Sequence, residues 1–207
     1  MNAERPNVRA GLGTLKLGIF AMLAAAIVAA AWQFTHERIA QNEREAQRRL
    51  FAPVLAGVAF DAIDLSAPTV IAPPHTLPGE TPALVYTATL SEQPVARVFE
   101  VDARGYNGPI RMMIGIDGNN TVTGVRVIAH AETPGLGDAI EITRSEWIET
   151  FRGKSLQNVA VDGWRLKREG GEFDGFTGAS ITPRAVVDAV FVTLTYARRH
   201  PLNGDAT

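Results

Sequence analysis

Four β-type runs follow one another between Leu84 and Ala129, and they constrain the fold more than any other part of the chain. Leu84–Leu90 (LVYTATL) alternates apolar and polar residues, and Val95–Val101 (VARVFEV) is mixed and β-branched. Ile110–Asp117 (IRMMIGID) follows a glycine-rich turn, and Asp117-Gly118-Asn119-Asn120 is a strong turn signal ahead of Val122–Ala129 (VTGVRVIA). Strands in this order predict an antiparallel meander. Downstream, Asp138 to Phe151 is helical in pattern, Val159–Lys167 reads as a further strand, and Pro183 to Arg199 reads as a long helix. The expected fold is one α+β domain with a mainly antiparallel sheet and flanking helices.

Ahead of this domain, Leu17 to Trp32 is unbroken and apolar, and Leu15 to Phe34 is interrupted only by Lys16 and Gln33. Twenty helical residues rise about 30 Å, the thickness of a bilayer's hydrocarbon core. Residues 15–34 are therefore expected to be a single transmembrane helix, with 1–14 as a cytoplasmic N-terminus. Ala29-Ala30-Ala31 also resembles a signal-peptidase site, so cleavage is the competing reading. The basic residues do not decide orientation, because Arg5, Arg9 and Lys16 precede the span while Arg38, Arg44, Arg48 and Arg49 follow it. Residues 35–82 read as a stalk helix leading into a connection broken by Pro68, Pro73, Pro74, Pro78 and Pro82. The domain proper is expected at 83–200, with 201–207 as a tail.

Composition excludes several functions. A net charge of −2 with dispersed basic residues gives no footprint for nucleic acid. With no cysteine, disulfides, thiolate zinc sites and ordinary iron–sulfur ligation are ruled out. His36, His75, His130 and His200 have no ligand spacing, so no metal site is expected.

The chemistry concentrates in Asp174-Gly175-Phe176-Thr177-Gly178-Ala179-Ser180, followed by Ile181-Thr182-Pro183. Thr182-Pro183 reads as a helix start, threonine as N-cap and proline at the first helical position. The N-terminus of that helix offers N–H groups and a positive dipole end to a phosphate. Glycines 175 and 178 let the loop turn sharply and leave its hydroxyls open. By itself this is also what an ordinary capped glycine loop looks like.

The stretch resembles the covalent flavin attachment motif Asp-x-x-(Ser/Thr)-Gly-Ala-(Thr/Ser). Gly105-Tyr106-Asn107-Gly108-Pro109-Ile110 and His130-Ala131-Glu132-Thr133-Pro134-Gly135-Leu136-Gly137 match two further motifs of the same family, in the same order. Together they cover roughly residues 15–199, and the chain is identified as similar to the G subunit of Rnf-type ion-translocating electron transport complexes. It is also similar to the C subunit of the sodium-pumping NADH:quinone oxidoreductase. The resemblance implies FMN esterified to Ser180, where threonine is the commoner family residue. It also implies Asp174 as the residue read by a Mg-dependent flavin transferase that takes FMN from FAD. Thr177, Gly178, Ala179 and Thr182 would complete the attachment loop, while Glu132, Thr133, Gly135, Leu136 and Gly137 would approach the flavin ring. Thr177 and Thr182 are the other possible acceptors, Thr182 disfavoured because capping would occupy its oxygen and Thr177 because it occupies the motif's earlier position.

The implied function is a redox carrier with no turnover of its own, anchored in the bacterial inner membrane with its FMN domain on the periplasmic side. It would pass electrons between ferredoxin and NAD together with other membrane and redox subunits. An anchored extracytoplasmic scaffold or sensory domain without flavin is the alternative. An independent flavoenzyme is a third reading, and no acid–base constellation or dinucleotide fingerprint supports it. Gly135-Leu136-Gly137 lacks the third glycine of such a fingerprint, and Ile148 stands where a P-loop before Gly153-Lys154-Ser155 needs glycine.

Overall fold

The computed structural model describes residues 51–202 and a few helical positions between 18 and 25. The expected span at 15–34, most of the stalk and residues 203–207 lie largely outside the described residues. Among the described residues, no helix is long and apolar enough to cross a membrane.

Six strands form one antiparallel sheet: β1 (Ala62–Ile63), β2 (Thr69–Ile71), β3 (Ala83–Leu90), β4 (Gln93–Arg104), β5 (Pro109–Asp117) and β6 (Val122–Ala129). The order is β1-β3-β4-β5-β6, with β2 also pairing with β3. The four long strands are the expected meander. Register runs Tyr86 to Val98, Val98 to Gly115 and Gly115 to Gly124. The β5–β6 turn is tied by Asp117, whose Oδ1 accepts the N–H groups of Asn119 and Thr121 at 2.9 Å each.

Alternation gives this sheet two buried faces. Val85, Phe99, Val101, Ile114 and Ile116 join Val186, Val190 and Leu194 of the long helix α1 (Ile181–Arg199) in the main core. On the opposite face, Ala88, Ala96 and Val98 are covered by Phe51, Val54, Leu55 and Ile63. Chain before residue 83 thus packs on the sheet as well. The approach is close: the Thr123 hydroxyl donates to the Val54 carbonyl at 2.5 Å, and a Cβ on Gly124 would come within 2.5 Å of the Pro53 carbonyl.

Three local expectations need correction. The helical pattern at 138–151 yields two short 3₁₀ turns, Asp138–Ile140 and Glu146–Phe151. Ser145 interrupts it by accepting the Trp147 N–H at its hydroxyl, a side-chain bond that competes with helix continuation. The expected strand at 159–167 is absent: Val159, Trp164 and Leu166 are buried, but only Leu166 forms a bridge, with Phe173. Its backbone instead bonds locally, as in Phe173 N–H to the Arg165 carbonyl at 3.1 Å. Finally, α1 begins at Ile181 with Ser180 at the N-cap position, so Thr182 is not the cap and Pro183 falls third in the helix.

Candidate functional site

A cavity of about 400 Å³ opens where the β4–β5 turn, the loop after β6 and the start of α1 meet. Tyr106, Glu132, Thr133, Leu136, Gly137 and residues 178–182 line it. Its volume falls in the range of about 300–1,000 Å³ usual for small-molecule sites.

The three lining segments are joined through one carboxylate. Glu132 is 5% exposed, and its Oε1 accepts the backbone N–H groups of Tyr106 at 2.9 Å and Asn107 at 3.1 Å. Its Oε2 accepts the hydroxyl of Thr182, itself 1% exposed, from the first turn of α1. A side chain on Gly105 or Gly137 would strike Glu132, with Cβ contacts of 2.6 Å to Oε1 and 2.9 Å to Cβ respectively. Both positions need glycine because the carboxylate fills the junction.

His130 holds Glu132 from behind. Its Nδ1 accepts the Glu132 N–H at 3.0 Å, so the ring proton sits on Nε2 and donates to Glu141 at 2.7 Å. That bond, with one from Thr143, holds the Glu141 carboxyl below its ordinary range. The Thr133–Gly137 loop closes on itself, with the Gly137 N–H donating to the Thr133 carbonyl at 3.0 Å. Gly135 has φ +77° and donates its N–H to Asp138 at 2.8 Å. Leu136, 45% exposed, projects at the rim.

Across the cavity, Phe176 to Ala179 is a tight turn closed by the Ala179 N–H on the Phe176 carbonyl at 3.2 Å. Gly178 has φ +82°, and a Cβ there would sit 3.4 Å from Leu136. Of the loop hydroxyls, Thr177 is exposed and not among the lining residues, while Thr182 is committed to Glu132. Ser180 lines the cavity, and its side chain caps no helix N–H.

The structure therefore brings together Glu132, Thr133, Leu136, Gly137, Gly178, Ala179, Ser180 and Thr182. Gly135, Thr177 and Asp174 lie outside the lining; the Asp174 carboxylate instead pairs with Lys167 at 2.8 Å. Tyr106 and Ile181 line the cavity without having been singled out as site residues. Tyr106 stands in the glycine turn that matches the family motif, and an aromatic residue 69% exposed is the signal that marks it.

The donors and shape suit a flavin mononucleotide. No lysine or arginine lines the cavity, so the α1 N-terminus and backbone N–H groups are left to meet a phosphate. Tyr106, Leu136 and Ile181, each at least 44% exposed, give an apolar rim for a flat ring.

Residues 105–195 match the FMN-binding domain family, and residues 9–54 match the RnfG N-terminal region. The G subunit of the ion-translocating oxidoreductase complex of Pseudomonas aeruginosa (strain UCBPP-PA14) is 42% identical over 183 residues, covering 88% of this chain and 86% of that one. The chain belongs to the family of G subunits of ion-translocating oxidoreductase complexes. The Escherichia coli K12 member is 40% identical over 188 residues, 90% of each chain. The Cereibacter sphaeroides member is 39% identical over 186 residues, 90% of this chain and 83% of its own. Among solved structures, the C subunit of the Na(+)-translocating NADH-quinone reductase of Parabacteroides distasonis aligns with TM-score 0.46 at 19% identity, over 79% of this chain and 95% of that one. All the cavity-lining residues lie inside the matched FMN-binding region, from Tyr106 to Thr182.

Proposed function

We propose that this member of the G-subunit family carries FMN as a phosphoester on Ser180 and relays electrons within an ion-translocating oxidoreductase complex. Residues 15–34 are its membrane anchor, residues 35–82 lead into the folded part, and the FMN domain at 83–200 stands on the periplasmic side. Its partners are the other subunits of the complex and, during maturation, a flavin transferase.

One observation carries the choice of Ser180. It is the attachment-loop hydroxyl that both lines the cavity and is left without a capping role, whereas Thr182 is bonded to Glu132 and Thr177 lies off the lining. A phosphate on Ser180 stands at the N-terminus of a nineteen-residue helix, where N–H groups and dipole favour negative charge. Ile181 and Thr182 supply free first-turn N–H groups; Pro183 has none to give. Bound FMN supplies one- and two-electron redox chemistry. The chain's share is placement: Glu132 fixes the walls relative to one another, Leu136 and Tyr106 face the ring, and the glycines admit backbone close to it.

The test is expression of the full chain with a flavin transferase, followed by denaturing electrophoresis under ultraviolet light. Yellow fluorescence should migrate with the chain and vanish in Ser180→Ala. A colourless wild-type band defeats the carrier reading and favours an anchored scaffold; fluorescence persisting in Ser180→Ala moves the ester to Thr177 or Thr182.

A further inference from the structure

The attachment loop is exposed at its tip but held firmly at its root by one side chain that neither lines the cavity nor belongs to any of the three family motifs. Trp147 donates its indole N–H to the Asp174 backbone carbonyl at 2.8 Å. The same ring meets Phe176 edge-on, centroids 4.9 Å apart at 68°. Two residues of the loop, on either side of Gly175, are thus fixed to one indole.

Trp147 is itself rigid. It is 8% exposed, stands in the turn Glu146–Phe151, has its own N–H held by Ser145 at 3.1 Å, and packs edge-on against Phe151 at 5.2 Å. Packing alone asks only for an aromatic ring. The N–H adds a directional bond across twenty-seven residues of sequence, aimed at the residue whose carboxylate begins the attachment motif. That carboxylate is exposed and, among the described residues, pairs with Lys167, also exposed, so it is open to an approaching enzyme.

A transferase must engage Asp174 and the Ser180 hydroxyl together, six positions apart across the Phe176–Ala179 turn. Freeing the carbonyl of Asp174 lets that end of the loop rotate and uncouples the two. We infer that Trp147 is a positioning residue for flavin attachment, acting through its indole N–H on the backbone at Asp174. The inference rests on the ester at Ser180. In that reaction the Ser180 oxygen forms a bond to the FMN phosphorus of FAD, the pyrophosphate bond breaks, AMP leaves, and the serine proton is released.

The experiment uses the purified full chain in detergent, free of flavin, with a flavin transferase, FAD and Mg²⁺. Flavin incorporation is followed by in-gel fluorescence and intact mass at several concentrations of the chain. One variant is Trp147→Phe; in a second, benzothienylalanine at position 147 replaces only the N–H with sulfur and keeps the ring shape. Both should lower kcat/KM for attachment by about three- to tenfold, the worth of one hydrogen bond. The benzothienyl variant should melt within a few degrees of wild type, far above the assay temperature, and once loaded should keep the wild-type flavin fluorescence. Attachment at the wild-type rate in the benzothienyl variant overturns the inference. So does a slowed Trp147→Phe whose rate recovers on cooling below its own melting transition while the benzothienyl variant is normal, because the effect is then packing. A wild-type chain that takes up no flavin strikes instead at the ester on Ser180, so the two failures are distinguishable.

Discussion

Removing the Glu132 carboxylate should loosen three segments at once. In Glu132→Ala, the N–H groups of Tyr106 and Asn107 and the hydroxyl of Thr182 lose their common acceptor. Hydrogen bonds to a charged group contribute about 1.5–3 kcal/mol each, but the two N–H groups sit in an exposed turn and can turn to water. Thr182 is buried and cannot, so its unpaired hydroxyl alone costs about 1–3 kcal/mol. Adding the void left by the side chain, the expected destabilisation is about 3–5 kcal/mol, a large share of a total near 5–15 kcal/mol. In Glu132→Gln the amide oxygen still accepts both N–H groups and the amide nitrogen donates to Thr182, so the loss should be about 1 kcal/mol. The assay is equilibrium urea unfolding; with a slope of about 1–3 kcal/mol/M, the alanine midpoint should fall by more than about 1 M. Equal midpoints for the two variants, or an alanine loss below about 1 kcal/mol, would refute the role of this carboxylate as the junction.

Other outcomes follow from the same geometry. Gly178→Ala forces a left-handed residue against Leu136 and should cost about 1–2 kcal/mol while slowing flavin attachment, read by thermal melt and in-gel fluorescence. Gly124→Ala drives a methyl into the Pro53 carbonyl and should cost about 1–3 kcal/mol; an unchanged melting temperature would show that the segment yields freely. At Asp102, burial pushes the carboxyl up, but bonds from Arg111 and Thr81 outweigh it and hold the group below its ordinary value of 3.8. Because the folded form is the stronger acid, its stabilisation is complete above pH about 3.8 and fades as pH falls through the lowered value. Asp102→Asn should flatten that acid limb of the stability curve, measured by chemical unfolding between neutral pH and pH about 2.

The meander was legible because strand alternation and turn chemistry agree at every step from Leu84 to Ala129. Helical spacing at 138–151 misled because the apolar positions that suit one long helix also suit two short turns, and Ser145 decides between them through its own hydroxyl. Val159, Trp164 and Leu166 were apolar enough for a strand, yet burial does not require one, and their backbone is satisfied within the loop. At the site, the family resemblance pointed to Ser180, and the geometry engages Thr182 differently from expectation. Its oxygen is occupied by Glu132 rather than by a cap. What the motif did not show at Asp174 is its anchoring: the carbonyl is bonded by Trp147 and the exposed carboxylate pairs with Lys167.

The segment at Pro53 and Val54 crosses the back of the sheet at Gly115 and Gly124, close to the β5–β6 turn and at the end of both strands away from the cavity. The chain at Phe51–Leu55 is therefore fixed to the sheet by packing and by the Thr123 hydroxyl. From there to the turn before β5 and the loop after β6 is about six residues of strand, or about 20 Å. The packed segment and the cavity walls thus stand at opposite ends of the same two paired strands.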